Sequence, residues 1–289
     1  MRRLRIVVIV FFIVAAIAVA GSIVLDRLTS DTTPPVMSCD AESISVSVEA
    51  DETELLKGVQ ATDNKDGNIT DSIRVASLSR FTDEKGKRTV QYVVFDKENN
   101  VGQLSREVVY TDYVSPKIQL SKALRFDIKD MEEMNLSEYM SVNDCLDGDI
   151  SGKIRVSLDD NMYISEAGSY KATAQVSNSA GDTCTVPLEI IIVDSSDTTE
   201  NQKYYPLLSQ YIAYTKVGQK LDAASFVKGL ERGNTEYLFG ENGFDRSPSD
   251  ISIEDGVDYS KAGTYTISYT YTAESGVAAV TKLTVVVEE

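Results

Sequence analysis

The sequence predicts an all-β chain: tandem β-sandwiches preceded by one transmembrane helix. Three observations carry that prediction. An uncharged apolar run of 20 residues lies near the N-terminus, one polar segment recurs after 81 residues, and apolar residues alternate in steps of two between shared turn landmarks.

The apolar run is Ile6 to Leu25, with Arg2, Arg3 and Arg5 before it. At about 1.5 Å per residue a helix of that length crosses a hydrocarbon core of roughly 30 Å. The arginines hold the five-residue tail on the cytoplasmic side, and everything after Asp26 is then extracellular. The competing reading is a cleaved signal peptide, for which Ala18-Val19-Ala20 supplies a small-residue pattern. Signal cores usually span about 7–15 residues, and this run continues through Val24 and Leu25, which favours an uncleaved, single-pass anchor in the cell membrane.

The exported part repeats. Thr62 to Val75 (TDNKDGNITDSIRV) returns as Asn143 to Val156 (NDCLDGDISGKIRV). A second block, Ala167-Gly168-Ser169-Tyr170, returns as Ala262-Gly263-Thr264-Tyr265 and more weakly as Lys85-Gly86-Lys87-Arg88. Thirteen residues after each glycine stands a turn residue: Gly181, Gly276 and Asn99. Those residue types point to a backbone position with positive φ joining two paired strands. Between the landmarks Val90, Tyr92 and Val94 share one face. So do Tyr170, Ala172, Ala174 and Val176, and Tyr265, Ile267, Tyr269 and Tyr271. The closing strands follow the same period, in Leu104, Val108 and Tyr110, in Val186 to Ile192, and in Leu283, Val285 and Val287. Such alternation means half-buried antiparallel strands, and short strands in units of about 80–95 residues imply sandwiches.

The expected domains are a tail at 1–5, a transmembrane helix at 6–25 and sandwiches at 34–113, 114–194 and 202–289. The polar stretch Asp194 to Asn201 links the last two. The third copy is divergent: it lacks the Asp-Gly-x-Ile block and carries Gly229 to Pro248, expected to be a long surface loop.

Composition excludes several functions. The chain of 289 residues has no histidine, hence no Ser-His-Asp triad, Cys-His dyad or HExxH zinc site. Its formal charge is −17; without the three tail arginines the remainder carries 25 basic against 45 acidic residues, or −20. Nucleic acid, which needs basic surface, is not an expected partner.

Two constellations could carry chemistry. Asp63, Asp66 and Asn68 surround Gly67, and Asp144, Asp147 and Asp149 surround Gly148. Oxygen side chains so crowded could hold Ca²⁺, although the spacing is not that of an EF-hand, since position 12 counted from Asp63 is Arg74. The alternative is turn chemistry, in which Asp and Asn accept from nearby backbone N–H groups and Gly supplies positive φ. Cys145 and Cys184 lie 39 positions apart in a compartment that permits disulfides, and are either bridged or two small, partly buried thiols. Cys39 is left over. Of the 15 tyrosines, those at 204, 205, 211 and 214 form a cluster that either stacks sugars or packs.

The Asp-Asn-Lys-Asp-Gly-Asn-Ile-Thr segment, followed by a Gly-Ser/Thr-Tyr strand and a Gly or Asn turn, resembles the bacterial Ig-like domains of the pesticidal-crystal-protein type. Copies one and two resemble them strongly. Copy three does so through Asp258 to Tyr265 and its closing strands. The resemblance implies Ig-like sandwiches used for display, spacing, adhesion or carbohydrate contact at a bacterial cell surface. It brings no catalytic residues. The expected function is therefore non-catalytic, the partners being the membrane and a cell-wall glycan or protein ligand, with no cofactor beyond a possible Ca²⁺. The alternative is a cell-envelope glycan hydrolase with two carboxylates and its site in the divergent third domain.

Overall fold

The computed structural model describes residues 2–82, 84–133, 135–158, 164–241 and 245–289. These form two compact units, Met1–Asp112 and Tyr113–Glu289.

The first unit opens with a helix, Arg2–Thr29. Its stretch Arg3–Leu25 is long and apolar enough to cross a membrane, and none of it is buried by the protein. Phe11 and Phe12 are 75% and 73% exposed, so among the described residues nothing covers the apolar surface of this stretch. By length and composition it fits a membrane span or a signal sequence.

After the helix come two facing sheets. One holds Val36–Cys39, Val59–Asp63 and Gly67–Asn68. The other has the order Ser43–Val46, Val101–Tyr110, Lys87–Phe95, Arg74–Leu78. Ser43–Val46 runs parallel to Val101–Tyr110, pairing Ile44 with Val108. The alternation read from the sequence places Val90, Tyr92 and Val94 inside, where they meet Val108, Ala61 and Ile73 in one core. Each such side chain contributes about 1.5–3 kcal/mol on burial. Tyr92 satisfies its buried hydroxyl by donating to the Leu55 carbonyl at 2.6 Å. Gly102 is needed for packing: a Cβ there would lie 2.5 Å from the Pro35 carbonyl oxygen.

The second unit repeats this plan twice. Arg155–Leu158, Gly168–Ser177, Thr183–Val193 and Arg125–Asp127 form one four-stranded sheet, and Ser252–Asp255, Gly263–Thr272, Ala278–Glu288 and Ile212–Lys216 form another. In each, a short early strand again runs parallel to the last long strand: Phe126 pairs with Ile192, and Tyr214 with Val286. All three repeats thus share one Ig-like β-sandwich arrangement. The landmarks at their hairpins do what the sequence predicts: Asn99, Gly181 and Gly276 have φ of 66°, 87° and 81°. Asn99 is the sole non-glycine among the described residues with positive φ.

The second and third repeats bury a single continuous core. Ile118, Leu120, Leu124 and Ile190 from one belong to the same cluster as Tyr211, Ile212, Leu230, Tyr269 and Leu283 from the other. The Tyr211 N–H donates to the Leu120 carbonyl at 2.9 Å, and the Tyr214 hydroxyl donates to that of Ile118 at 3.0 Å. Asp194 to Asn201 is folded back by its own turns, with Ser196 N–H donating to Asp194 Oδ1 and Arg232 Nε donating to the Asn201 carbonyl.

Gly229 to Pro248 is not the long loop its composition predicts. Val227–Arg232 and Thr235–Leu238 pair as a hairpin around Gly233, at φ 56°, and join Tyr205–Leu208 in a three-stranded sheet. Gly229 sits inside that hairpin because a Cβ would lie 2.1 Å from the Tyr237 carbonyl oxygen. Gly229 thus serves close backbone approach and Gly233 the turn. Residues 242–244 of the stretch lie outside the described residues.

Candidate functional site: the aspartate turns and the buried carboxylates beside them

In the first repeat the strand Val59–Asp63 turns back onto Gly67–Asn68, pairing Asp63 with Gly67. Asp63 Oδ1 accepts the N–H groups of Lys65 and Asp66 at 2.8 and 2.9 Å, and Gly67 takes the left-handed conformation at φ 73°. Those N–H groups, Asp66's foremost and then Lys65's, hold the Asp63 carboxyl below the usual carboxylate range. Asn68 Oδ1 caps Thr70 N–H at 3.0 Å. Asp66 faces the next hairpin, accepting Lys97 Nζ and Lys97 N–H at 2.8 Å each. Its carboxyl is held low first by the Lys97 side chain and then by that N–H.

The second repeat reproduces this turn. Asp144 Oδ1 accepts from Leu146 and Asp147 N–H, and Gly148 has φ 68°. Asp149 Oδ1 accepts from Ser151 N–H and Oγ. Asp147 takes Ser179 N–H, Ser179 Oγ and Lys153 Nζ. Burial pushes the Asp147 carboxyl up, and the Ser179 and Lys153 contacts outweigh it, leaving it below its ordinary value. In both triplets the leading aspartate forms the turn, Asp66 and Asp147 tie it to the neighbouring hairpin, and Asn68 and Asp149 accept the first N–H of the short 3₁₀ segment that follows.

The repeats differ in what meets the second oxygen of the leading aspartate. Asp144 Oδ2 accepts from Asn178 Nδ2 at 3.2 Å. Asn178 Nδ2 also donates to the Tyr113 hydroxyl, which in turn donates to Asp182 Oδ2, both at 2.9 Å. This network is closed by neutral donors. Burial, then the Asp182 bond, raises the Tyr113 hydroxyl well above the usual phenol range. In the first repeat, Asp63 Oδ2 is buried and has no hydrogen-bond partner. Beside it are Asp31 and Asp96, and one carboxylate oxygen from each of the three lies within 4.8 Å of the others. Asp31, Asp63 and Asp96 are 5%, 9% and 7% exposed. Among the described residues they form the one group of three or more acidic, cysteine or histidine side chains so gathered. Asp31 comes from the segment before the first strand and Asp96 from the hairpin 33 positions after Asp63. Reading each repeat's Asp-Gly block by itself therefore misses them; comparing Asp96 with Asn178 position by position is the signal that finds them.

Cys145 and Cys184 are not joined as a disulfide. Cys145 Sγ, on the turn, donates to the Val114 carbonyl at 3.1 Å, whereas Cys184, on Thr183–Val193, sits 3.7 Å from the Tyr214 hydroxyl. The two side chains are carried to different neighbours. The tyrosine cluster packs: Tyr205 lies under the Arg125 guanidinium at 3.4 Å from its centroid, and Tyr204 beneath Arg232 at 5.2 Å.

Two grooves mark the second unit. One, of about 440 Å³, runs between the second and third repeats past Arg125, Lys171, Glu189 and Lys282. Its carboxylate Glu189 is paired with Lys282 at 2.8 Å. A second, of about 310 Å³, lies in the third repeat and includes Tyr204, Arg246, Tyr271 and Glu274. Glu274 is ion-paired with Arg246. Among the described residues each groove is lined by one carboxylate, Glu189 or Glu274, where glycoside hydrolysis uses a pair.

No family profile matches the chain, and no curated protein matches it. Among solved structures, similarity is found to a structure of the CBM51-2 (in complex with GlcNAc) and INT domains of Clostridium perfringens ZmpB. That match has a TM-score of 0.22 and 20% identity, over 50% of this chain and 29% of the other. Human CDH23 EC21-23 matches with TM-score 0.21 and 12% identity, over 88% of this chain and 100% of that one. The protocadherin gammaB4 extracellular domain gives 0.21 and 13%, over 89% and 50%. This chain spans less than a third of the first of these and half of the last. Superpositions this loose transfer neither a site nor a ligand.

Proposed function

We propose that the chain is a membrane-anchored, non-catalytic display protein whose Ig-like sandwiches, of the bacterial surface-repeat type, act in binding, adhesion or spacing outside the cell. The observation that carries this reading is that, the buried Asp31 and Asp63 Oδ2 atoms apart, the polar groups of the predicted sites brace the fold. The Asp-Gly turns, the tyrosine cluster and both groove carboxylates hold strands and hairpins in position. An apolar helix whose stretch Arg3–Leu25 is left unburied supports anchoring, and the basic residues before it support a cytoplasmic N-terminus. The acidic balance of the remainder keeps a displayed array soluble and away from anionic polymers.

The test is to apply the full chain, purified in detergent, to panels of cell-wall glycans and surface proteins while assaying reducing-end release from the same glycans. Saturable binding without release is the expected result. Time-dependent release that follows the protein through purification contradicts the non-catalytic reading.

A further inference from the structure

We propose that the first repeat binds one calcium ion between Asp31, Asp63 and Asp96, and that the second repeat, built on the same plan, binds none.

Three carboxylates have been brought together where water reaches them poorly. Like charges this close repel, and burial adds a desolvation cost to each. Folded proteins offset such an arrangement with donors or with a cation. Donors account for part of it. Asp96 takes the N–H and the Nδ2 of Asn100 at 2.7 Å each, Asp31 Oδ1 takes Thr33 N–H at 2.9 Å, and Asp63 Oδ1 takes its two turn N–H groups. What remains are Asp31 Oδ2 and Asp63 Oδ2, both buried and both without a partner. Two orphaned anionic oxygens beside a third carboxylate are the ligand set of a hard cation.

The dimensions fit calcium. Ca²⁺–oxygen bonds run about 2.3–2.6 Å, so oxygens on opposite sides of one ion stand about 4.6–5.2 Å apart, and those on the same side stand closer. One oxygen from each of the three carboxylates lies within 4.8 Å of the other two. They are contributed by three separate stretches: the lead-in segment, the end of a strand in one sheet and a hairpin of the other. A flexible coordination sphere of six to eight oxygens, completed by water, suits such a set better than the strict octahedron of Mg²⁺.

The second repeat is the internal control. The hairpin turns correspond through their backbone bonds. Asp96 N–H donates to the Asn100 carbonyl and Asn99 N–H to that of Asp96; likewise Asn178 N–H donates to the Asp182 carbonyl and Gly181 N–H to that of Asn178. Asp96 thus corresponds to Asn178. Where the first repeat has a carboxylate, the second has an amide whose Nδ2 reaches Asp144 Oδ2, with the Tyr113 hydroxyl completing the network. A neutral donor in one copy stands where the other copy needs a positive charge.

The test uses the full chain in detergent, stripped with EGTA and freed of chelator, then titrated calorimetrically with CaCl₂. Thermal unfolding is followed with and without calcium. The expected result is saturable binding with a stoichiometry of one. At about 100 times the dissociation constant, the transition of the first unit should rise by about 10–20 °C, with no change in the second. Asp96→Asn installs the residue the second repeat already uses, so the fold is retained and the binding heat is lost. Asp31→Asn gives the same loss through a different segment. Asp147→Asn, in the second repeat, leaves the stoichiometry at one. Absence of binding heat in the unsubstituted chain overturns the proposal, as does binding that survives both Asp96→Asn and Asp31→Asn. Binding of Mg²⁺ but not Ca²⁺ overturns the calcium assignment.

Discussion

Arg125→Met tests whether the second and third repeats are one cooperative body. The guanidinium of Arg125, on a strand of the second repeat, stacks on Tyr205 at 3.4 Å from its centroid, and Nη1 donates to Glu231 at 3.0 Å. The side chains are 10% and 28% exposed, so solvent screens the pair only in part. A hydrogen bond to a charged group under such conditions contributes about 1.5–3 kcal/mol, and the stacked cation roughly 0.5–2 kcal/mol. The Nη2 contact to Thr281, at 3.4 Å, adds little. Methionine keeps the apolar stem against Tyr205 and so recovers a fraction. The net loss is about 2–4 kcal/mol, or roughly 30- to 1,000-fold in the opening equilibrium. Native-state hydrogen exchange with peptide-resolved mass spectrometry reads this directly. Because both repeats share one core, the slowest amides of Gly168–Ser177 and of Gly263–Thr272 should lose protection together, while those of Lys87–Phe95 stay unchanged. A loss confined to one of the two repeats, or one under about threefold, would refute the reasoning.

Gly102→Ala in the first unit forces a Cβ to within 2.5 Å of a backbone carbonyl that cannot rotate away, and should lower that unit's stability by about 1–3 kcal/mol, measured by urea unfolding. Toward high pH, burial above all holds the hydroxyls of Tyr113, Tyr205, Tyr214 and Tyr269 protonated beyond the range in which an unfolded tyrosine ionises, near pH 10. Their contribution is complete below pH 10 and is lost as pH rises above it. Tyrosinate absorbance from these residues should therefore emerge only together with unfolding. Toward low pH the sign reverses. Lys97 holds the Asp66 carboxyl below 3.8, and Ser151 does the same for Asp149. Their stabilisation is complete above about pH 4 and disappears as pH falls through the lower folded values, so the melting temperature should be level from about pH 5 to 8 and decline below about 4.

Much of this was legible in the residues themselves because it is local. Alternation in steps of two gives the buried face of a strand, and Val90, Tyr92, Val94, Ile267 and Tyr269 are all inside. A glycine or asparagine at a fixed distance from a repeated block gives a positive φ, as Asn99 does. Turn chemistry gives the role of Asp63 and Asp144, whose Oδ1 atoms accept from backbone two and three residues on. The rest depends on which faces meet. Nothing in the period of Tyr211 and Ile212 says that they pack on Leu120 and Ile118, so the shared core of the last two repeats is not written in either one. The glycines of Gly229 to Leu238 carry the composition of a loop although the chain there is paired, because a glycine demanded by close backbone approach looks the same in sequence as one demanded by a turn. The buried carboxylates are the sharpest case. Asp31, Asp63 and Asp96 are more than 30 residues apart in succession, and only the pairing of hairpin, strand and lead-in segment assembles them.

The central claim, that an apolar helix anchors sandwiches presented outside the membrane, is tested most directly by labelling spheroplasts of cells expressing the chain with a membrane-impermeant amine reagent. Lys57, Lys97 and Lys220 are 67%, 80% and 72% exposed and report on all but the second repeat. The account predicts that all three are modified in intact spheroplasts, on a chain that still carries residues 6–25 and stays with the membrane fraction. Modification only after the spheroplasts are lysed would contradict it.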